Sequence, residues 1–369
     1  MRIEKIVMDH LRMPLKSAFE TSFGRSINRD CLLLRVYDDG LEGIGECAAD
    51  WDPGYSSETV GTSWVILEQF ILPIVLGVDF NMPQDLQKQL ASIRGHRMAK
   101  AALEMALWDL YGKQMQMPLK ELLGGVKDRV DVGVSVGIQN TTPELVETVS
   151  KFLEDGYQRI KLKIKPARDI EDVKAVRFTF PKIRLQVDAN SAYTLADTER
   201  LLPLDELNLL LIEQPLDEED LWDHHKIQKL FHTPICLDES ILSAQHARQA
   251  LEMQSCRVIN IKAGRVGGLT EAKKIHDLCL GQSIPVWCGG MLETGVGRAS
   301  NLALASLPGF TLPGDISATD RYYDEDITNE RFILNSDSTI DVQKGIGLGI
   351  TLNQKAVKKY SLRELVFPN

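Results

Sequence analysis

Five charged residues, each closing a short apolar run, recur at near-constant intervals: Lys163, Asp188, Glu213, Asp238 and Lys262 stand 25, 25, 25 and 24 residues apart. That interval suits one strand, one helix and two short turns, so the spacing predicts a chain of βα units around a parallel sheet. Candidate strands lie at 130–137, 159–164, 184–187, 209–212, 235–237, 258–261, 284–287 and 310–313. Eight is the number that closes a barrel. Stretches with helical periodicity at 142–154, 194–202, 243–251, 269–281 and 297–307 supply the outer layer. A barrel gathers the carboxyl ends of its strands on one face, so the five side chains are expected to converge there in the order cation, three carboxylates, cation.

Upstream the pattern differs. Residues 2–9 and 31–37 alternate like strands, and the turn Asp38-Asp39-Gly40 leads to a third apolar run near 43–47. Helical periodicity follows at 57–76 and 98–113, and Leu123-Gly124-Gly125 stops it. The expected fold is therefore α/β: a (β/α)8-type TIM barrel over 126–321, an N-terminal α+β capping domain over 1–125, and a segment 322–369 that returns to the capping domain.

Three carboxylates facing one point repel one another unless a cation sits among them. An all-oxygen set of Asp188, Glu213 and Asp238, with no His or Cys, selects a hard dication, Mg²⁺ with Mn²⁺ as a substitute. Acids that merely cap helix N-termini are the simpler alternative, but capping does not explain equal spacing after three apolar runs. Lys163 and Lys262 flank the acids as opposed bases, able to take the α-proton of a carboxylate substrate while a cation neutralises the enediolate. Lys161, two residues before Lys163 on the same side of its strand, is expected to depress the Lys163 pKa toward the range a general base needs. Lys165 competes for the role of base, but Pro166 follows it and the 25-residue register favours Lys163.

Composition narrows the partners. A formal charge of −10 repels phosphate backbones and anionic membranes, so nucleic acid is not expected. The most apolar segment, 64–78, is broken by Glu68, Gln69 and Pro73, too short for a membrane span. The first ten residues scatter charges where a signal peptide needs an apolar stretch, and the six cysteines form no C-x-x-C pair. A cytoplasmic protein with a small-molecule carboxylate substrate is the expectation. A dinucleotide fingerprint is incomplete and late, and His224 and His225 lack metal-ligand spacing.

The segments Lys161-Leu-Lys-Ile-Lys165, Asp188-Ala-Asn190, Glu213-Gln-Pro215, Asp238-Glu-Ser240 and Asn260-Ile-Lys262 resemble the enolase superfamily, in its muconate-lactonizing-enzyme subgroup. The resemblance extends to Ala101-Ala-Leu-Glu-Met-Ala-Leu-Trp-Asp109 and Leu122-Leu-Gly-Gly125, and so to nearly the whole chain. It implies a modified (β/α)7β barrel, Mg²⁺, homo-oligomers, and two capping loops near 19–25 and 51–58. Within the subgroup, segments 263–268, 289–295 and 314–321 are most similar to o-succinylbenzoate synthases of the type that also racemise N-acylamino acids. That implies dehydration of a cyclohexadiene carboxylate in menaquinone synthesis, with Lys163 as base and then acid and Lys262 mainly as a cation. A dedicated N-succinylamino acid racemase, using both lysines, is the alternative; a metal-holding barrel without turnover is a third reading. Where dipeptide epimerases of the subgroup carry Asp-x-Asp, this chain reads Asp315-Ile-Ser317, which argues against a free amino group on the substrate. Ser135, Phe19, Asn190, Met291 and Leu292 are candidate pocket residues. Arg265 is expected to tune the field at Lys262, and Glu293 either to pair with a lysine or to be an ordinary loop acid.

Overall fold

Side-chain alternation decides which charges enter the barrel. In the strand Arg159–Lys163, Ile160 and Leu162 join the large apolar core while Arg159, Lys161 and Lys163 take the inner face. The next strand, Arg184–Asp188, repeats this: Leu185 and Val187 belong to the core, and Asp188 ends the strand opposite Lys163.

The computed structural model of the protein describes residues 1–368. Its first sheet is antiparallel, built from β1 (Lys5–Glu20), β2 (Arg25–Asp38), β3 (Leu41–Cys47) and β13 (Ser361–Phe367) in the order β13-β1-β2-β3. Helix α1 (Arg97–Met115) packs on it, and Gly43 and Gly45 permit the close approach: a Cβ at either would lie 2.2 or 2.1 Å from a carbonyl oxygen of α1. The chain's last strand pairs antiparallel with its first, so the C-terminal segment ends in the capping sheet.

A short ribbon pairs β4 (Arg129–Asp131) with β12 (Thr339–Asp341). The barrel sheet is parallel and runs β5 (Val134–Val136), β6 (Arg159–Lys163), β7 (Arg184–Asp188), β8 (Ile212–Glu213), β9 (Ile235–Leu237), β10 (Val258–Ile261) and β11 (Val286–Cys288) in sequence order. The expected strand 130–137 is thus divided between two sheets. The expected eighth strand, 310–313, is not a strand: it makes isolated bridges from Phe310 to Val286 and, one residue past its end, from Gly314 to Val132. Pro313 supplies no N–H, so the gap is closed by the Leu312, Gly314 and Asp315 amides, which donate to Val286, Asp131 and Cys288. The buried Arg159 adds side-chain donors to the Pro313 and Gly314 carbonyls. The expected helix 194–202 is shortened to a 3-10 turn and one α turn, with Pro203 heading the 3-10 turn that follows.

Outer helices include α2 (Thr142–Glu154), α3 (Ala244–Glu252), α4 (Leu269–Gly281) and α5 (Gly295–Ala305). Thr141 caps α2 by accepting from the Glu144 amide, and Pro143 sits in the first turn where its missing N–H costs nothing. Among the described residues no helix is long and apolar enough to cross a membrane. All six cysteines are free and buried.

Candidate active site

Register brings the spaced residues together. Lys163 pairs with Asp188 across β6 and β7, and Asp188 with Glu213 across β7 and β8. Asp238 and Lys262 directly follow β9 and β10. All lie at the carboxyl ends of their strands, and Asp188, Glu213 and Asp238 are at most 1 % exposed.

Opposite charges saturate one another there. Lys163 Nζ donates to Asp188 Oδ2 at 2.6 Å and to Asn190 Oδ1 at 2.7 Å. Lys262 Nζ donates to Asp238 Oδ2 at 2.7 Å and to the Tyr55 hydroxyl at 2.9 Å. Lys161 Nζ reaches Asp188 Oδ2 and Glu213 Oε2 at 2.9 Å each and Asp315 Oδ2 at 2.6 Å. An ammonium has three N–H bonds, so Lys161 is fully engaged and serves as a fixed cation. Lys165 lies apart, paired with Glu20 at 3.0 Å, and does not compete for the role of base.

The two flanking lysines differ in their electrostatics. Burial, reinforced by Lys161 and Lys262, holds Lys163 below the usual lysine range despite Asp188 and Glu213. Burial also opposes the charge on Lys262, but Tyr55, Glu239 and Glu213 outweigh it and hold that lysine well above the usual range. Among the acids, burial and then Asp188 push Glu213 upward, and the same two causes bring Glu239 up to about 7. Asp315 is pushed up by burial, yet Lys161 and Arg159 prevail and bring it down to about 2.

The acids have auxiliary partners that sequence spacing did not single out. Asn260 Nδ2 donates to Glu213 Oε1 at 2.8 Å, and Gln214 Oε1 accepts from the Asp238 and Ser240 amides. Tyr55, from the loop after β3, is held over Lys262, with the ammonium 4.3 Å from its ring centroid. Asn260 and Gln214 belong to motifs already visible as Asn-Ile-Lys and Glu-Gln-Pro. Tyr55 carried no signal beyond lying in an expected capping loop.

Phe19, Ser135, Asn190, Met291 and Leu292 line one chamber of about 70 Å³, together with Lys161, Lys163, Lys262, Asp315 and Tyr55. Glu293 and Arg265 do not line that chamber. Glu293 faces no lysine, because its carboxylate accepts from the Met291 amide and from Asn301 Nδ2. Arg265 borders a second cavity of about 490 Å³, shared with Tyr55 and Glu239, and contacts Lys262's acid partner through an ion pair with Asp238. His224 is structural: its ring lies between the Asp220 carbonyl and the Leu216 amide.

With the lysines closed onto the acids, no group of three or more His, Cys, Asp or Glu among the described residues is arranged to hold an ion. The donor set itself suits a hard dication. Three buried carboxylates stand at adjacent strand ends, and Lys161 occupies the point between two of them where a positive charge is needed. Glu239 Oε2 is buried beside them with no hydrogen-bond donor.

Comparison with known proteins covers most of this chain. Residues 2–124 match the family described as mandelate racemase / muconate lactonizing enzyme, N-terminal domain, and residues 144–356 match enolase C-terminal domain-like. An o-succinylbenzoate synthase from Geobacillus stearothermophilus is 49% identical over 99% of this chain and 97% of its own. An N-succinylamino acid racemase from Thermus thermophilus is also 49% identical, over 98% of each chain. The crystal structure of an enolase superfamily member from Listeria innocua superposes with a TM-score of 0.95, at 41% identity and 99% coverage of both chains.

Proposed function

The chain belongs to the enolase superfamily, and from that premise we propose that it is an o-succinylbenzoate synthase with N-succinylamino acid racemase activity. Enzymes of this superfamily abstract a proton next to a carboxylate with a Lys or His base and one or two Mg²⁺ ions. Here Asp188, Glu213 and Asp238 would hold the ion. When bound, it supplies positive charge for the substrate carboxylate and its enediolate.

The observation that carries the dehydration reading is the inequality of the two lysines. Burial lowers Lys163 from the ordinary lysine value, whereas at Lys262 burial is outweighed by Tyr55 and the acids around it, and of the two only Lys262 is hydrogen-bonded to a tyrosine hydroxyl. A β-elimination needs one base that becomes an acid. Lys163 would take the α-proton of 2-succinyl-6-hydroxy-2,4-cyclohexadiene-1-carboxylate and return it to the departing hydroxyl, releasing water and o-succinylbenzoate. Lys262 would stay cationic beside the developing negative charge. Asp315 is already engaged by Lys161 and Arg159, which leaves it unsuited to a substrate ammonium.

Racemisation is favoured as a second activity by one feature, that Lys163 and Lys262 both border the same chamber. One lysine would remove the α-proton of an N-succinylamino acid and the other would deliver a proton to the opposite face. The test is purified protein with Mg²⁺, given the cyclohexadiene precursor and, separately, N-succinylphenylalanine in D₂O followed by proton NMR. Turnover of the first supports the synthase; exchange of the second without turnover of the first makes the protein a dedicated racemase; neither overturns the proposal.

A further inference from the structure

Asn190 must present its amide oxygen, not its nitrogen, to Lys163. Its backbone is fixed: φ is +43°, its amide donates to Asp188 Oδ1 at 3.0 Å, and its carbonyl accepts from Ser22 Oγ at 3.2 Å. None of these decides which way the side-chain amide faces, since the oxygen and the nitrogen have nearly the same shape. Glu239 supplies the missing constraint. Its Oε1 accepts from Asn190 Nδ2 at 2.8 Å, which turns Asn190 Oδ1 onto Lys163 Nζ at 2.7 Å. Glu239 is 7 % exposed and makes no direct hydrogen bond to either lysine.

We infer that Glu239 is a positioning residue, aiming Lys163 at one face of the substrate through the Asn190 amide. Its partner in that role is the acceptor atom. Glu239 Oε2 receives no hydrogen bond, so an amide nitrogen of glutamine in its place breaks none, and the residue borders the 490 Å³ cavity. The hydrogen bond acts on Lys163 alone, because Lys262 is held by Asp238 and Tyr55; the Glu239 charge also acts on Lys262, and Gln and Leu at 239 remove it equally, so the difference between those two variants reads the hydrogen bond.

The inference rests on the proton-abstraction reading above. Exchange of the α-proton is followed in D₂O with Mg²⁺ for each enantiomer of N-succinylphenylalanine. Glu239→Leu is expected to slow exchange about 10- to 100-fold for the enantiomer that Lys163→Ala abolishes, the usual cost of losing a hydrogen-bond partner behind a functional group. Glu239→Gln should restore most of the loss, and the other enantiomer should exchange at the same rate in Glu239→Leu and Glu239→Gln. Adding Glu239→Leu to Asn190→Ala should slow exchange no further than Asn190→Ala alone. If Glu239→Leu unfolds below the assay temperature, Glu239→Asp takes its place, because it withdraws the acceptor by one methylene. A difference between Glu239→Leu and Glu239→Gln that is equal for both enantiomers, no difference between them, or additivity with Asn190→Ala overturns the inference and leaves proton abstraction standing. A wild-type protein that exchanges neither enantiomer overturns both.

Discussion

At the residue scale, the site depends on where small atoms stand as much as on charge. A Cβ at Gly289 would lie 2.3 Å from Asn260 Oδ1 and 2.7 Å from Lys262 Cε, which puts it inside both side chains. Gly289→Ala is therefore expected to displace the Lys262 ammonium and lower kcat at least tenfold, with a strain cost of about 1–3 kcal/mol seen in a urea melt. The lysines themselves give opposite signatures. Lys163→Ala and Lys262→Ala should each cut exchange by roughly 10²–10⁴-fold, with different enantiomers most affected. Asp315 offers a pH test. Its carboxyl is lowered in the fold to about 2 from the ordinary value of 3.8, so it adds stability above pH 4 that disappears as pH falls through 2. The difference amounts to about 2 kcal/mol. Thermal melts should show Asp315→Asn less stable than wild type at neutral pH, with the gap narrowing toward pH 2; a constant gap contradicts this account.

At the element scale, two buried acids of the capping domain cap helices of the barrel. Glu104 on α1 accepts from the Leu269 and Thr270 amides at 2.8 and 3.0 Å, closing the N-terminus of α4. Glu46 on β3 accepts from the Gly297 amide at 2.9 Å and from Thr294 Oγ1 at 2.6 Å, closing that of α5. Helix N-termini present unpaired N–H groups and positive potential, so each acid satisfies donors that would otherwise be buried alone. Glu104→Ala should destabilise the protein by about 1–3 kcal/mol in a denaturant melt, more than Glu104→Gln, which keeps an acceptor. None of this was legible in the sequence: Glu104 and Glu46 sit in ordinary helix and strand patterns, and their partners lie 165 and 251 residues away. Periodicity did locate β9 and β10 with their observed limits, since each is a short apolar run inside the barrel sheet. It overestimated 310–313, because a propensity reading counts apolar residues and does not ask whether Pro313 can donate to a ladder.

At the scale of the whole molecule, ligand binding and folding are linked. If Asp188, Glu213 and Asp238 hold a dication, saturating Mg²⁺ should raise the melting temperature; at a concentration 100 times Kd the gain is about 2.7 kcal/mol. EDTA should abolish the shift, and Asp238→Asn should reduce it; a melting curve indifferent to Mg²⁺ would contradict the assigned ligands. The sequence by itself determined the barrel and the five residues at its mouth, because a strand and a helix have fixed lengths and their sum leaves a period of about 25 that can be read without coordinates. The types of those residues, lysines flanking carboxylates, were legible in the same way. Only the tertiary structure decided that Lys161 is held by three carboxylates at once, that Glu293 turns to Met291 and Asn301, and that Tyr55, Asn260 and Glu239 complete the constellation. Charge interactions act over a few ångströms in space, and the groups that set them arrive from strands and loops whose separation along the chain carries no period.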